Sequence, residues 1–213
     1  SANWYDDQSL YHVFRTGDDV TFSDIGSTNP AVNLVGSLQP SVVTLDPTKN
    51  YVFSGSGSLD GAMSLNKTNT GSLTLNGDHN FTGPTIISNG TVLVHGGLNQ
   101  SAVTVRNSGT IGGRGRLGNG VTVQSGGSIA PGGGVGSPGT LTITNALVES
   151  GGVINRFDLS DDPTGSIKTN DQIVVTGDLN LSGVNTIQVT LLNGPLADGV
   201  YTLIAYSGNL NGT

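Results

Sequence analysis

The sequence predicts an all-β protein wound as a parallel β-helix, and three observations carry that reading. The composition opposes helices, the chain repeats itself at a near-constant interval, and each repeat holds short alternating runs separated by turn residues. Glycine supplies 34 of the 213 residues, and Glu149 is the only glutamate. Each Gly costs a helix about 1 kcal/mol relative to Ala. Gly, Asn, Asp and Ser instead suit tight turns, because they tolerate positive φ or bond to their own backbone.

The repeat is clearest where VTVRNSGTIGGRGRLGN, from Val103, is set above VTVQSGGSIAPGGGVGS, from Val121; the two align without a gap at an offset of 18. A third copy, LTIT, begins at Leu141, 20 residues after Val121. Looser echoes, GSLTL from Gly71 and GTVLV from Gly90, stand 19 residues apart. In each VTV run the valines point to one face and the threonine to the other. One such unit has too little apolar surface to fold alone. Stacked units cover each other, with inward Val, Leu and Ile forming ladders. A β-sandwich is the alternative, since it also shows short strands at regular intervals. It does not require units that align ungapped through their corners.

Three regions follow: an N-terminal cap with the first coils over residues 1–50, a repeat solenoid over 51–150, and C-terminal coils over 151–213. Aromatic residues mark the first of them. Trp4, Tyr5, Tyr11, Phe14 and Phe22 are five of the chain's eleven aromatics. A solenoid's open end exposes strand edges and apolar ladders, and an aromatic-rich cap covers them. Trp4, Tyr5 and Tyr11 are also the candidate contacts to a glycan or to a flanking domain, because aromatic rings stack on sugars and fill interfaces.

Charge and cysteine content narrow the function classes. A net charge of −7 and a pI near 4.5 disfavour nucleic acid and anionic membranes, where a basic face supplies the attraction. No apolar run approaches the roughly 20 residues of a membrane-spanning helix, so no direct membrane insertion is expected. The absence of cysteine rules out disulfide scaffolds and zinc–thiolate sites.

The stretch GSGSLDGAMSLNKTNTGSLTLNGDHNFTGPTIISNGTVLVHG, Gly55 to Gly96, resembles the autotransporter-associated β-strand repeat. Gly57, Leu59, Gly61, Leu65, Lys67, Leu73, Leu75, Asn80, Gly83 and Gly90 are among the positions that match its pattern. GTIGGRGRLGNGVTVQSGGSIAPGGGVGSPGTLTI looks like the portion that often follows it. NDQIVVTGDLNLSG and GVYTLIAYSGNLNGT resemble the closing region of such passengers. The resemblance implies a right-handed parallel β-helix belonging to a pertactin-like passenger of a secreted or outer-membrane-surface bacterial protein. It implies no single activity, for such repeats occur in adhesins and beside polysaccharide-degrading domains.

Candidate sites are few. The acidic segment FDLSDDPTGSIKTNDQ groups Asp158, Asp161, Asp162 and Asp171 around Lys168. Carboxylates on a hard cation with a nearby base are what a β-helical lyase needs; a solvated loop with Asp-Pro turn chemistry is the plainer expectation. Asp78, His79 and Asn80 are expected to form a corner, with the His79 side chain dispensable. GRGRLG at Gly113 lacks the strand–helix context of a dinucleotide site. APGGGVGSPG has no carboxylate for calcium, and Glu149 has no evident acidic partner for glycoside hydrolysis. No catalytic residue, metal or cofactor is expected. The expected function is a non-catalytic stalk, spacer or adhesion module, with polysaccharide or cell-surface glycan and flanking domains as partners. The alternatives are a carbohydrate-binding accessory module and, behind it, a small polysaccharide lyase.

Overall fold

The computed structural model describes residues 4–5, 11–25, 31–164 and 169–212. All regular structure among them is β. Strands return at intervals to three faces. One face is a nine-stranded sheet running from Asp19–Phe22 through Val103–Val105 and Val121–Val123 to Leu210–Gly212. The second is an eight-stranded sheet from Ala31–Leu34 to Thr186–Leu191. The third begins with the pair Ser37–Leu38 and Ser58–Leu59, and continues as six strands from Asp78–His79 to Ile204–Tyr206.

Within these faces neighbouring strands pair in parallel, and Val103, Thr104 and Val105 lie opposite Val121, Thr122 and Val123. That register makes the fold a parallel β-solenoid and excludes the antiparallel sandwich. Ser72–Leu75 pairs with Thr91–Val94, as the 19-residue echo requires. The third proposed copy is corrected. Leu147, not Leu141, follows Val121 in the ladder, while Leu141 lies on another face beside Ile173. Successive steps up this ladder are 18, 26, 32 and 31 residues. The extra residues are spent in corners, so the period holds only where corners keep their length.

Alternation puts every second side chain inside. Leu73 and Leu75 are 0% exposed, as are Val94, Ile111, Leu117, Val123 and Ile143. Burying each such side chain contributes about 1.5–3 kcal/mol. Corners demand glycine where two coils touch. At Gly113, with φ of 115°, an added Cβ would stand 2.0 Å from the Val94 carbonyl oxygen. At the N-terminal end Phe22 packs against Tyr51 and Phe53, with ring centroids 5.3 and 5.0 Å apart, and Phe14 packs on the core. Trp4–Tyr5 pairs antiparallel with Tyr11–His12; the side chains of Trp4, Tyr5 and Tyr11 lie outside the described part.

The two sides of one strand separate core from surface energetics. Leu75→Ala should cost about 2–5 kcal/mol of unfolding free energy, and Thr74→Ala, on the outer face, less than about 0.5, both read by denaturant titration.

Candidate functional site

The structure divides the proposed acidic group. Asp158 is buried in the strand Ile154–Leu159, and Asp171 joins it. Asp158 N–H donates to Asp171 Oδ2 at 2.8 Å, and Asp171 N–H donates to the Asp158 carbonyl at 2.9 Å. Gly139 N–H donates to Asp171 Oδ1 at 2.8 Å, and Gly136 N–H to Asp158 Oδ2 at 2.5 Å. The two carboxylates thus pin the glycine-rich excursion 131–139, whose Ser137 also receives the Arg114 guanidinium. Asp161 is exposed. Asp162 accepts from the amide and hydroxyl of Thr164 at 2.9 and 2.6 Å, so it serves turn chemistry. Lys168, the proposed base, lies outside the described residues. Among the described residues no three His, Asp or Glu side chains group so as to hold a metal ion.

Burial pushes the Asp171 carboxyl up to about 7, with the Asp158 charge adding to it and the two amides and Arg114 opposing. Asp171 borders a cavity of about 230 Å³ together with Leu159, Pro163, Asn170, Gln172 and Tyr201. The Tyr201 hydroxyl is buried without a hydrogen-bond partner. Ligand pockets usually enclose about 300–1,000 Å³. This one lies below that range.

The turn expectation for Asp78–Asn80 is corrected. Asp78–His79 is a short strand that opens the six-stranded run, and the His79 side chain is 1% exposed. It pairs with Leu98, in a ladder that continues through Leu117, Ile143 and Val175. Its Nδ1 accepts the Leu59 amide at 3.1 Å, which fixes the neutral tautomer with its proton on Nε2; Nε2 itself has no partner. Burial lowers its pKa, against the charges of Asp60 and Asp78. The signal was present in the sequence: His79 is in phase with Leu73, Leu75 and Phe81, all buried.

The burial of two further charged residues was not anticipated from the sequence. Lys67 and Glu149 occupy one inward ladder with Ile87, Val105 and Val123 between them. Both are buried. The Lys67 ammonium donates to the Asn69 carbonyl, and burial lowers its pKa while Asp46 opposes. Glu149 Oε2 accepts from Asn155 and Asn185 Nδ2 at 3.0 and 3.1 Å, and burial raises its pKa. A sealed carboxylate held by two amides does not meet substrate.

On the outer surface the arginines have separate partners, Ser137 for Arg114 and Asn99 for Arg116. Arg116 donates to Asn99 Oδ1 at 3.2 Å, Asn99 Nδ2 to Asn80 Oδ1 at 2.8 Å, and Asn80 Nδ2 to Asp60 Oδ1 at 3.4 Å. These residues tie four successive coils along one outer edge. Arg106 is exposed elsewhere.

Three substitutions test these assignments. His79→Ala should cost about 1–3 kcal/mol, because it orphans the Leu59 amide and leaves a cavity. The His79 pKa in the folded protein is below that of the unfolded chain, so the unfolded chain binds more protons in acid. Stability from this group is full above its ordinary value of 6.5 and falls at lower pH. His79→Leu should remove that component of the pH profile. Asp171 has the opposite sign. Its folded pKa of about 7 exceeds the ordinary 3.8, so its contribution is full below that value and is lost as pH rises through about 7. Denaturant titration of Asp171→Asn across pH 4–8 should show that loss abolished; an unchanged slope would refute the assignment.

Residues 65–94 match the family model described as the passenger-associated-transport-repeat. No curated protein matches the chain. The matched segment runs from Leu65, through the Ser72–Leu75 strand and His79, to Val94, and therefore spans one full coil and part of the next. The chain accordingly contains one segment similar to the passenger-associated-transport-repeat, built into a parallel β-solenoid.

Proposed function

We propose that the chain is a non-catalytic stalk or spacer of a secreted or surface-exposed bacterial protein, which holds flanking domains away from the surface and contributes to adhesion. The observation that carries this reading is the continuity of the nine- and eight-stranded parallel sheets from the first described coils to the last. Nine strands at about 4.8 Å spacing make a rod about 40 Å long, stabilised by contacts between neighbouring coils. The passenger-associated-transport-repeat at 65–94 supports the setting, since such repeats belong to exported passengers.

A carbohydrate-binding accessory role is the second reading. The cavity beside Asn170, Asp171 and Tyr201 supports it only for a small polar group, and a glycan array probed with the intact chain tests it. The lyase reading has less support, because Asp158 and Asp171 already accept backbone amides.

Removing one coil tests the spacer. Deleting residues 103–120 brings the strand Val121–Val123 into the place of Val103–Val105 above Thr85–Ile87. The shortened chain should keep its far-ultraviolet circular dichroism and cooperative unfolding, and lose about 5 Å of maximum dimension by small-angle scattering. In the parent protein the flanking domains should keep their activity. If they lose it, this coil acts directly and the spacer reading fails.

A further inference from the structure

We infer that Glu149 is a proton-dependent latch between two coils, held in the folded rod as a carboxylic acid whose Oε1–H donates to Asn155 Oδ1. This goes beyond the stalk reading and does not rest on it. The observation behind it is a pair of orphaned oxygens. Glu149 Oε1 and Asn155 Oδ1 are both buried without a hydrogen-bond partner, in residues that are 1% and 2% exposed. The same two side chains are already joined through their other atoms, since Asn155 Nδ2 donates to Glu149 Oε2 at 3.0 Å. With the carboxyl ionised, both orphans are acceptors that face no donor. One added proton supplies the donor that both lack, and acid and amide then close a ring through two hydrogen bonds.

Reversing the Asn155 amide gives no relief, because its oxygen would then face Oε2. The second amide is fixed independently. Asn185 Oδ1 accepts the Val153 amide at 3.0 Å, which turns its Nδ2 toward Glu149 Oε2 at 3.1 Å. Oε2 therefore receives two donors, as the carbonyl oxygen of a carboxylic acid can. Asn185 precedes the strand Thr186–Leu191 of the next coil, so the carboxyl ties that coil to the one beneath.

A water or a metal ion between the two oxygens is the competing occupant. A water would leave a bare charge in the core, which is costly without a cation beside it. Glu149 stacks between Val123 and Leu181 and bonds to Asn155 and Asn185, none of them charged. A calcium ion takes six to eight oxygens, whereas the ladder neighbours offer hydrocarbon. A proton needs only the two oxygens present. Burial favours the same form, raising the pKa above its ordinary 4.5 while the Asn155 hydrogen bond opposes. The latch is therefore fully closed below that ordinary value and is released as pH rises through the folded one.

Glu149 is the chain's only glutamate, so carbon-13 labelling of the glutamate carboxyl gives one resonance to follow against pH. In urea it should titrate near its ordinary 4.5. In the folded protein it should keep the shift of an undissociated acid at pH values where the unfolded chain is already ionised. Glu149→Gln places an amide N–H where the acid has its hydroxyl. That variant should melt with the parent in acid and above it, by a growing margin, as pH rises. A carboxylate shift in the folded protein throughout that range would overturn the inference and leave the gap to a water or a metal ion. Melting of Glu149→Gln below the parent at every pH would also overturn it, because the ring of two hydrogen bonds would then be wrong.

Discussion

The structure depends on one constraint: inward side chains stand directly above one another through successive coils. Val103 over Val121 is the simplest case. Backbone hydrogen bonds between coils fix the strand positions, so each inward residue has its neighbours above and below chosen for it. The constraint acts on three faces and leaves the corners almost free. The excursion 131–139 and the long return between Leu159 and Asp171 lengthen the coils without disturbing the ladders on either side. Chemical variety therefore gathers at corners, where an added residue costs loop entropy that grows only slowly with length.

The same constraint traps polar groups that no alternation rule would choose. Lys67 and Glu149 share a ladder but stand four steps apart, about 19 Å at this spacing. At that distance they do not form an ion pair. Each is accommodated separately, Lys67 by a backbone carbonyl and Glu149 by two amide side chains. A buried polar group is tolerated when hydrogen-bonded and costly when not, and Glu149 Oε1 and His79 Nε2 remain unpartnered. These positions are points of weakness in an otherwise aliphatic core.

What the sequence revealed, and what it hid, follows from the same geometry. The stacking of Val103 on Val121 was legible because the corner between them has the length of its neighbours. Leu141 was misplaced because residues 131–139 intervene, and counting along the chain fails once a corner changes length. His79 was hidden by its company. Asp78 and Asn80 are turn formers and both are exposed, yet the inward phase from Leu73 to Phe81 runs through them. Asp158 and Asp171 illustrate the converse. Proximity in sequence grouped Asp158 with Asp161, Asp162 and Asp171, whereas the fold keeps Asp171 with Asp158 and leaves Asp161 exposed. Hydrogen bonds to backbone amides at Gly136 and Gly139 leave no trace in composition.

The trapped groups also govern how the rod responds to acid. His79 loses stability as pH falls, because protonation favours the unfolded chain, where its ring is hydrated. Asp171 and Glu149 lose it as pH rises, because ionisation favours the unfolded chain for the same reason. Where the two titrations overlap, below the ordinary His value of 6.5 and above the ordinary Asp value of 3.8, the two effects have opposite signs. A core holding only buried carboxyls would weaken steadily toward neutral pH, and one holding only a buried imidazole would weaken steadily toward acid. Having both reduces the net slope where the two titrations overlap. The groups lie on different faces and different coils, His79 beside Leu98 and Glu149 beside Val123, so the compensation comes from opposite signs summed over a shared cooperative unit rather than from any contact between them.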